Sequence, residues 1–157
     1  MKALIVFQSK TGHTGQAAGD IARGLEQEGS ECVLANAGSG RGVPDPGDFD
    51  VLVIGTPTYG NKRYRLPGGH VKTFLDSIPD GGLAGKLCGA FTVNAAMGGK
   101  TLVPNLEQAL ARKGGSVVAG GPVVRAGAPL SLWKGPDASE EDVKACEEFG
   151  RRIAHSA

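Results

Sequence analysis

The length, composition and charge of the chain are those of an ordinary globular domain, with one unusual feature. Its 157 residues are enough for one domain with its own core, and 40% of them are hydrophobic and 21% charged. The formal net charge of +1 argues against a protein drawn to nucleic acid or to a membrane surface. Glycine, with 26 residues, is more than twice as frequent as the usual ~7%, so we expect many tight turns or backbone close to a ligand.

The three cysteines, Cys32, Cys88 and Cys146, are far apart and odd in number. They form neither a CxxC pair nor a cluster with histidine, so the sequence supports no disulfide framework and no zinc site. The apolar run near the N-terminus is too short for the core of a signal peptide, and no segment approaches the ~18 apolar residues of a membrane span. We therefore expect a cytoplasmic protein without membrane insertion.

Short apolar runs alternate with helical patterns along the chain. The runs predict five strands, at residues 3–7, 32–34, 51–54, 88–93 and 117–118. Apolar residues at helical spacing predict four helices, at residues 14–27, 71–78, 104–113 and 140–153. We place Pro104 in the first turn of the third helix, and Ser139 and Asp142 have the spacing of a capping box before the fourth. A glycine- and proline-rich stretch, residues 37–47, stands where a further helix would be expected.

This order of elements predicts a single α/β domain over residues 1–157, with a five-stranded parallel sheet and helices on both faces. Ligands of such sheets bind outside the carboxyl ends of the strands, where the winding direction reverses. Three loops follow predicted strands at that edge. We call them the first loop (residues 9–14), the second loop (residues 56–67) and the third loop (residues 94–100).

The first loop has the residue types of a phosphate site. It joins a buried strand to a helix, so the backbone N–H groups of a helix N-terminus stand beside three hydroxyls, those of Ser9, Thr11 and Thr14. A serine or threonine in such a place ordinarily caps the helix. Three hydroxyls within six residues are more than one cap requires, which favours a bound phosphate.

The segment from Ile5 to Ile21 resembles the FMN phosphate-binding signature of flavodoxins, with the aromatic Phe7, Ser9, the small Gly12 and Thr14 at matching positions. The stretch Gly55-Thr56-Pro57-Thr58-Tyr59-Gly60-Asn61 and the later Met97-Gly98-Gly99 are similar to the two flavin loops of that family. The resemblance covers the whole chain in order. It implies a flavodoxin-like three-layer sandwich with strand order 2-1-3-4-5, and FMN as a non-covalently bound cofactor.

The resemblance also implies which residues bind FMN. Residues of the first loop hold the phosphate, and residues of the second and third loops flank the isoalloxazine ring: Ser9, Lys10, Thr11, Gly12, His13 and Thr14; Pro57, Thr58, Tyr59, Gly60 and Asn61; and Asn94, Ala95, Met97, Gly98 and Gly99. We assign no catalytic residue and no metal ligand, because nothing in the sequence marks a hydrolytic constellation or metal-ligand spacing.

The aromatic residues depart from the pattern of the family. Flavodoxins commonly stack one aromatic side chain from each of the second and third loops on the flavin, and residues 94–99 contain none. Tyr59 is the natural stacking residue, with Tyr64 and Trp133 as weaker candidates. We therefore expect one face of the flavin to be open or covered by another subunit.

The charges around the loops are a second departure. The three loops contain no acid, and five basic residues lie in or near them: Lys10, Lys62, Arg63, Arg65 and Lys100. Because flavodoxins are typically acidic around the flavin, we expect a less negative semiquinone/hydroquinone couple here. The alternative is that residues 62–65 are an ordinary solvated loop.

Three functions remain open at this point. The first is an FMN-binding electron carrier whose partners are redox proteins or a small-molecule electron acceptor. The second is an NAD(P)H:quinone oxidoreductase of the flavodoxin-like fold, favoured by the basic segment and disfavoured by a chain with little insertion beyond the minimal fold. The third is an interaction module that has lost the flavin, which the intact first loop argues against. The sequence leaves the oligomeric state undecided.

Overall fold

The computed structural model describes residues 1–9, 11–58, 69–94, 99–127, 135 and 137–157. Strands and helices alternate along this part of the chain: β1 (Lys2–Phe7), α1 (His13–Gln27), β2 (Glu31–Asn36), β3 (Val51–Pro57), α2 (Gly69–Ser77), β4 (Leu87–Asn94), α3 (Gly99–Arg112), β5 (Ser116–Val117), β6 (Val123–Arg125) and α4 (Glu140–His155). None of these helices is long and apolar enough to cross a membrane.

All strands pair in parallel, in the order β2-β1-β3-β4-β5, and β6 also pairs with β4. This confirms the predicted parallel sheet and its order 2-1-3-4-5. The fifth position differs from the prediction, because two short strands share it. Glycines 120 and 121 interrupt the strand, and a side chain at Gly121 would clash with the Ala90 carbonyl of β4.

Two apolar clusters, one on each face of the sheet, form the core. Ile5 and Phe91 pack with Phe149 of α4 on one face, and Leu52 and Leu106 pack on the other. Since β1, β3 and β4 are buried on both sides, their sequences are continuous apolar runs rather than alternating ones. Burial of each apolar side chain of this size contributes roughly 1.5–3 kcal/mol to the free energy of folding. The central strands are therefore stable and fix the positions from which the following loops start.

The helices follow the predicted segments with one correction. The sequence analysis placed Pro104 in the first turn of the third helix, and this is wrong. Helix α3 begins at Gly99, and Pro104 lies inside it. Pro104 is exposed while Leu102 and Val103 are buried, so the missing N–H falls on the solvent side of an otherwise amphipathic helix. Before α4, the Ser139 hydroxyl accepts a hydrogen bond from the Asp142 N–H (3.2 Å), as the capping-box spacing predicts.

The stretch between β2 and β3 forms no α-helix in its described residues 37–50. It contains turns, bends and one turn of 3-10 helix, Pro46–Asp48. This confirms that the glycine- and proline-rich stretch, residues 37–47, takes the place of an α-helix. As a result the outer strand β2 lacks the helix that would normally cover one of its faces.

Two helices hold the turn between β5 and β6. The Glu107 carboxylate of α3 accepts hydrogen bonds from the N–H groups of Gly120 (2.9 Å) and Gly121 (3.3 Å). The Arg152 guanidinium of α4 donates to the carbonyls of Ala119 (3.3 Å) and Gly120 (2.9 Å). The interruption of the fifth strand is therefore fixed by side chains of both α3 and α4.

Candidate functional site

The three loops start from one edge of the sheet. In the parallel register Phe7 lies opposite Gly55 and Pro57 lies opposite Val93, so β1, β3 and β4 end at neighbouring positions. The ladder continues one residue beyond the strands, where the Gln8 N–H donates to the Gly55 carbonyl and the Thr58 N–H to the Val93 carbonyl, both at 3.1 Å. The structure thus places the starts of all three predicted loops side by side.

The first loop turns sharply through Gly12 into α1. Gly12 has a φ of 94°, a left-handed backbone conformation that residues with a side chain rarely adopt. Its N–H donates to the Ser9 hydroxyl at 3.0 Å. Among the described residues α1 has no side-chain cap and no acid in its first turn. The positive end of the helix dipole, with its backbone N–H groups, is therefore left for an external anion.

His13 and Thr14 are both buried at the start of α1. The Nδ1 atom of His13 lies 3.7 Å from a carboxylate oxygen of Asp137, which is exposed and just precedes α4. The sequence analysis missed Asp137, because an aspartate before a helix usually has only a local role. This contact connects the first loop to the C-terminal helix.

Gln8, which the sequence analysis also missed, connects the first loop to α2. Its side-chain oxygen accepts hydrogen bonds from the N–H groups of His70 (3.0 Å) and Val71 (3.4 Å) in the first turn of α2. Gln8 thereby caps a helix that is 62 residues away in sequence. A lone glutamine after a strand gives no sequence signal for such a contact.

The end of β4 carries two buried oxygen atoms that the rest of the described chain does not satisfy. The Thr92 hydroxyl and the Asn94 side-chain carbonyl belong to residues that are 0% and 5% exposed, and neither has a hydrogen-bond partner there. The two residues lie beside Gly99, the first residue of α3, where an added Cβ would sit 2.8 Å from the Thr92 hydroxyl and 3.5 Å from the Asn94 Nδ2 atom and would clash with Val123. Buried oxygens are rarely left unpaired, so these two suit a ligand or water that donates hydrogen bonds.

Carboxylates are absent from the starts of three helices at this edge. In the described residues α1, α2 and α3 have no acid in their first turns, whereas α4 has three there: Glu140, Glu141 and Asp142. An anion at the edge would therefore meet three helix dipoles without a neighbouring negative side chain. The described residues contain no cluster of three or more histidine, cysteine or acidic side chains that could hold a metal.

Several predicted site residues lie outside the described residues: Lys10, Tyr59, Gly60, Asn61, Ala95, Met97 and Gly98. The same holds for the basic residues Lys62, Arg63 and Arg65 and for Tyr64 and Trp133. The stacking role of Tyr59 and the basic segment thus stay predictions. The remaining site residues lie at the edge described above: Ser9, Thr11, Gly12, His13, Thr14, Pro57, Thr58, Asn94 and Gly99.

No protein-family model matches the chain. Among solved structures, oxidised flavodoxin 1 from Bacillus cereus is 21% identical, with a TM-score of 0.78 over 100% of this chain and 99% of that one. A flavodoxin described as WrbA-like, from Agrobacterium tumefaciens, is 20% identical, with a TM-score of 0.77 over 99% and 96%. The flavodiiron core of Flv1 from Synechocystis is 21% identical, with a TM-score of 0.73 over 99% of this chain and 36% of that one.

These likenesses concern the fold. They confirm the flavodoxin-like fold predicted from the sequence, and they include proteins with different descriptions. A fold shared by proteins of different function does not assign one, so the function has to be argued from the site.

Proposed function

We propose that the chain binds one FMN non-covalently at the carboxyl edge of the sheet and carries electrons. The observation that carries this proposal is the first loop. A left-handed glycine and the Ser9 hydroxyl shape a turn in front of α1, whose N-terminus lacks both a capping side chain and an acid in the described residues. Such a turn is suited to a phosphate dianion.

The residues present fit the cofactor. Ser9, Thr11, Gly12, His13 and Thr14 would hold its phosphate, and the unpaired oxygens of Thr92 and Asn94 suit a ligand rich in hydroxyl and N–H donors. When bound, FMN supplies the one- and two-electron chemistry, and the protein supplies binding, orientation and charge. The partners we propose are redox proteins or a small-molecule electron acceptor. Three unpaired cysteines suit a cytoplasmic protein.

FMN and riboflavin titrations of the Gly12→Ala variant test the phosphate role. A side chain at a φ of 94° is strained, so we expect the variant to weaken FMN binding by about tenfold or more. Riboflavin lacks the phosphate, so its affinity should change much less. Quenching of flavin fluorescence measures both dissociation constants.

Gly81→Ala is the matched control. Gly81 has a φ of 79° and open space around its Cβ position, like Gly12, and it lies away from the loops, before β4. It should reproduce the backbone strain and leave FMN affinity unchanged. Equal losses for FMN and riboflavin in Gly12→Ala, or unaltered FMN binding, would contradict a phosphate site in the first loop.

A second candidate function is an FMN-dependent NAD(P)H:quinone oxidoreductase. The acid-free starts of α1, α2 and α3 favour it, because an anionic dinucleotide meets no carboxylate there in the described residues. Anaerobic mixing of the FMN-loaded protein with NADPH separates the two functions. A carrier stays yellow unless a reductase is added, whereas the oxidoreductase bleaches quickly and then turns over with quinone.

The same lack of acids underlies our proposal for the potential of the flavin. Electrons add negative charge to the bound flavin, and nearby carboxylates would oppose that charge. We expect the potential for the second electron to be less negative than in an acidic flavodoxin. Potentiometry of the FMN-loaded protein measures it, and a value as low as in an acidic flavodoxin would contradict the charge argument.

A further inference from the structure

The outer strand β2 presents an open edge with exposed apolar side chains. In the described sheet β2 pairs only with β1, so its other edge is free. A groove of about 570 Å³ lies beside β2, and residues 33–36 line it together with Phe7 of β1 and residues of the stretch that follows β2. Val33 and Leu34 at the middle of the strand are 41% and 42% exposed, and apart from Met1 they are the exposed large hydrophobic residues of the described chain.

The sequence of β2 itself lacks the features that normally keep an edge strand from pairing with another chain. Natural edge strands are protected by lysine, proline, a bulge, short length or a covering element. The six residues of β2, Glu-Cys-Val-Leu-Ala-Asn, contain no lysine or proline, and all six are in continuous register with β1. The helix that would cover one face is missing from residues 37–50. An edge of this kind is expected to be occupied by another strand.

The charges at the two ends of β2 complement those of a second copy that runs antiparallel to the first. Arg41 lines the groove near the carboxyl end of β2, whereas Glu31 lines a second, smaller cavity at the amino end, together with Lys2 and Asp48. The amino end is thus net negative and the carboxyl end positive. If two copies of β2 run antiparallel, the end of one copy that carries Arg41 lies beside the end of the other that carries Glu31.

We propose that two copies of this chain pair through their β2 edges, antiparallel and related by a two-fold axis, to form one continuous sheet. An axis perpendicular to the sheet keeps each face on its own side, so the centre of the contact is Val33 against Val33 or Leu34 against Leu34. The exposed apolar pair then lies at the centre of the interface, and the Arg41–Glu31 pairs lie at its two ends.

Sedimentation velocity over a concentration series tests this pairing. The wild-type chain forms a dimer, and Leu34→Lys raises the dissociation constant about tenfold or more, since two like charges then meet near the axis. Ala111→Lys, on the exposed side of α3, is the matched control and leaves the constant unchanged. A monomer at all concentrations, or a dimer unaffected by Leu34→Lys, overturns the proposal.

Charge reversal in two separate chains tests the antiparallel direction. Glu31→Arg alone and Arg41→Glu alone each place like charges at both ends of the interface, so each variant is mainly monomeric. Mixing the two variants places opposite charges at both ends and restores a dimer of one chain of each kind. This recovery cannot come from a change in the stability of the monomers, and its absence overturns the antiparallel pairing.

Discussion

At the scale of single residues, the backbones of α1 and α4 come close together where the two helices cross. A side chain at Gly24 would clash with the Glu147 carbonyl, and one at Gly150 would clash with the Ile21 carbonyl. The partners are backbone atoms, which cannot rotate away. We expect Gly24→Ala to lower the free energy of unfolding by about 1–3 kcal/mol, measured by chemical denaturation.

Gly19, in the same helix, provides the control. Nothing lies within 4 Å of its Cβ position and its φ is not positive, so Gly19→Ala meets no obstacle. Alanine is the better helix former, and this variant should be neutral or more stable by up to about 1 kcal/mol. If both variants lost the same stability, close packing of the two helices would not be the cause.

At the scale of elements, the start of α4 is fixed by its cap. Ser139 accepts the Asp142 N–H, and three acids in the first turn complement the helix dipole. We expect Ser139→Ala to cost about 1 kcal/mol of unfolding free energy, seen as a lower denaturation midpoint with an unchanged slope. Ser139→Asn retains a capping oxygen and should stay near the wild type. A large loss in both variants would mean that the hydroxyl has another role.

The elements that could be predicted from the sequence are those with a strong local signal. β1, β3 and β4 are buried on both faces, which makes them continuous apolar runs, and α4 has its capping box. The sequence gives no such local signal where tertiary contacts determine the extent of an element. β6 has three residues and depends on its pairing with β4, and α3 starts before Pro104 because Leu102 and Val103 gain burial.

The candidate site shows the same division. Ser9, Gly12 and Thr14 could be predicted because their residue types and spacing in one short segment point to phosphate. The contacts of Gln8 with α2 and of His13 with Asp137 join residues more than 60 positions apart. Their geometry exists only in the folded chain, and no spacing in the sequence indicates it.

At the scale of the whole molecule, three thiols link stability to alkaline pH. Burial raises the pKa of Cys32 to about 11, and it raises the pKa values of Cys88 and Cys146 to about 12. The three residues belong to β2, β4 and α4. A thiol titrates near 8.5 in the unfolded chain, so the folded chain holds these protons more tightly.

Because the folded chain holds these protons more tightly, the free energy of unfolding decreases at alkaline pH. The contribution of the protonated thiols to this free energy is fully present below about pH 8.5 and is lost as the pH rises toward 11–12. We expect the free energy of unfolding to fall steadily over that window in denaturant titrations. Cys146→Ala lowers stability at neutral pH by leaving a cavity, and it makes the alkaline decline shallower. A decline of unchanged slope would show that other groups cause it.

The rate of hydrogen exchange in the turn between β5 and β6 reports on the docking of α3. The amide hydrogens of Gly120 and Gly121 are bound by Glu107 of α3, and the carbonyl of Gly120 is bound by Arg152 of α4. These two amides lie outside the strands, so their protection from deuterium exchange depends on the docking of α3 rather than on the sheet ladder. A ligand that fixes the start of α3 beside the third loop should therefore slow their exchange from a distance, without touching the turn.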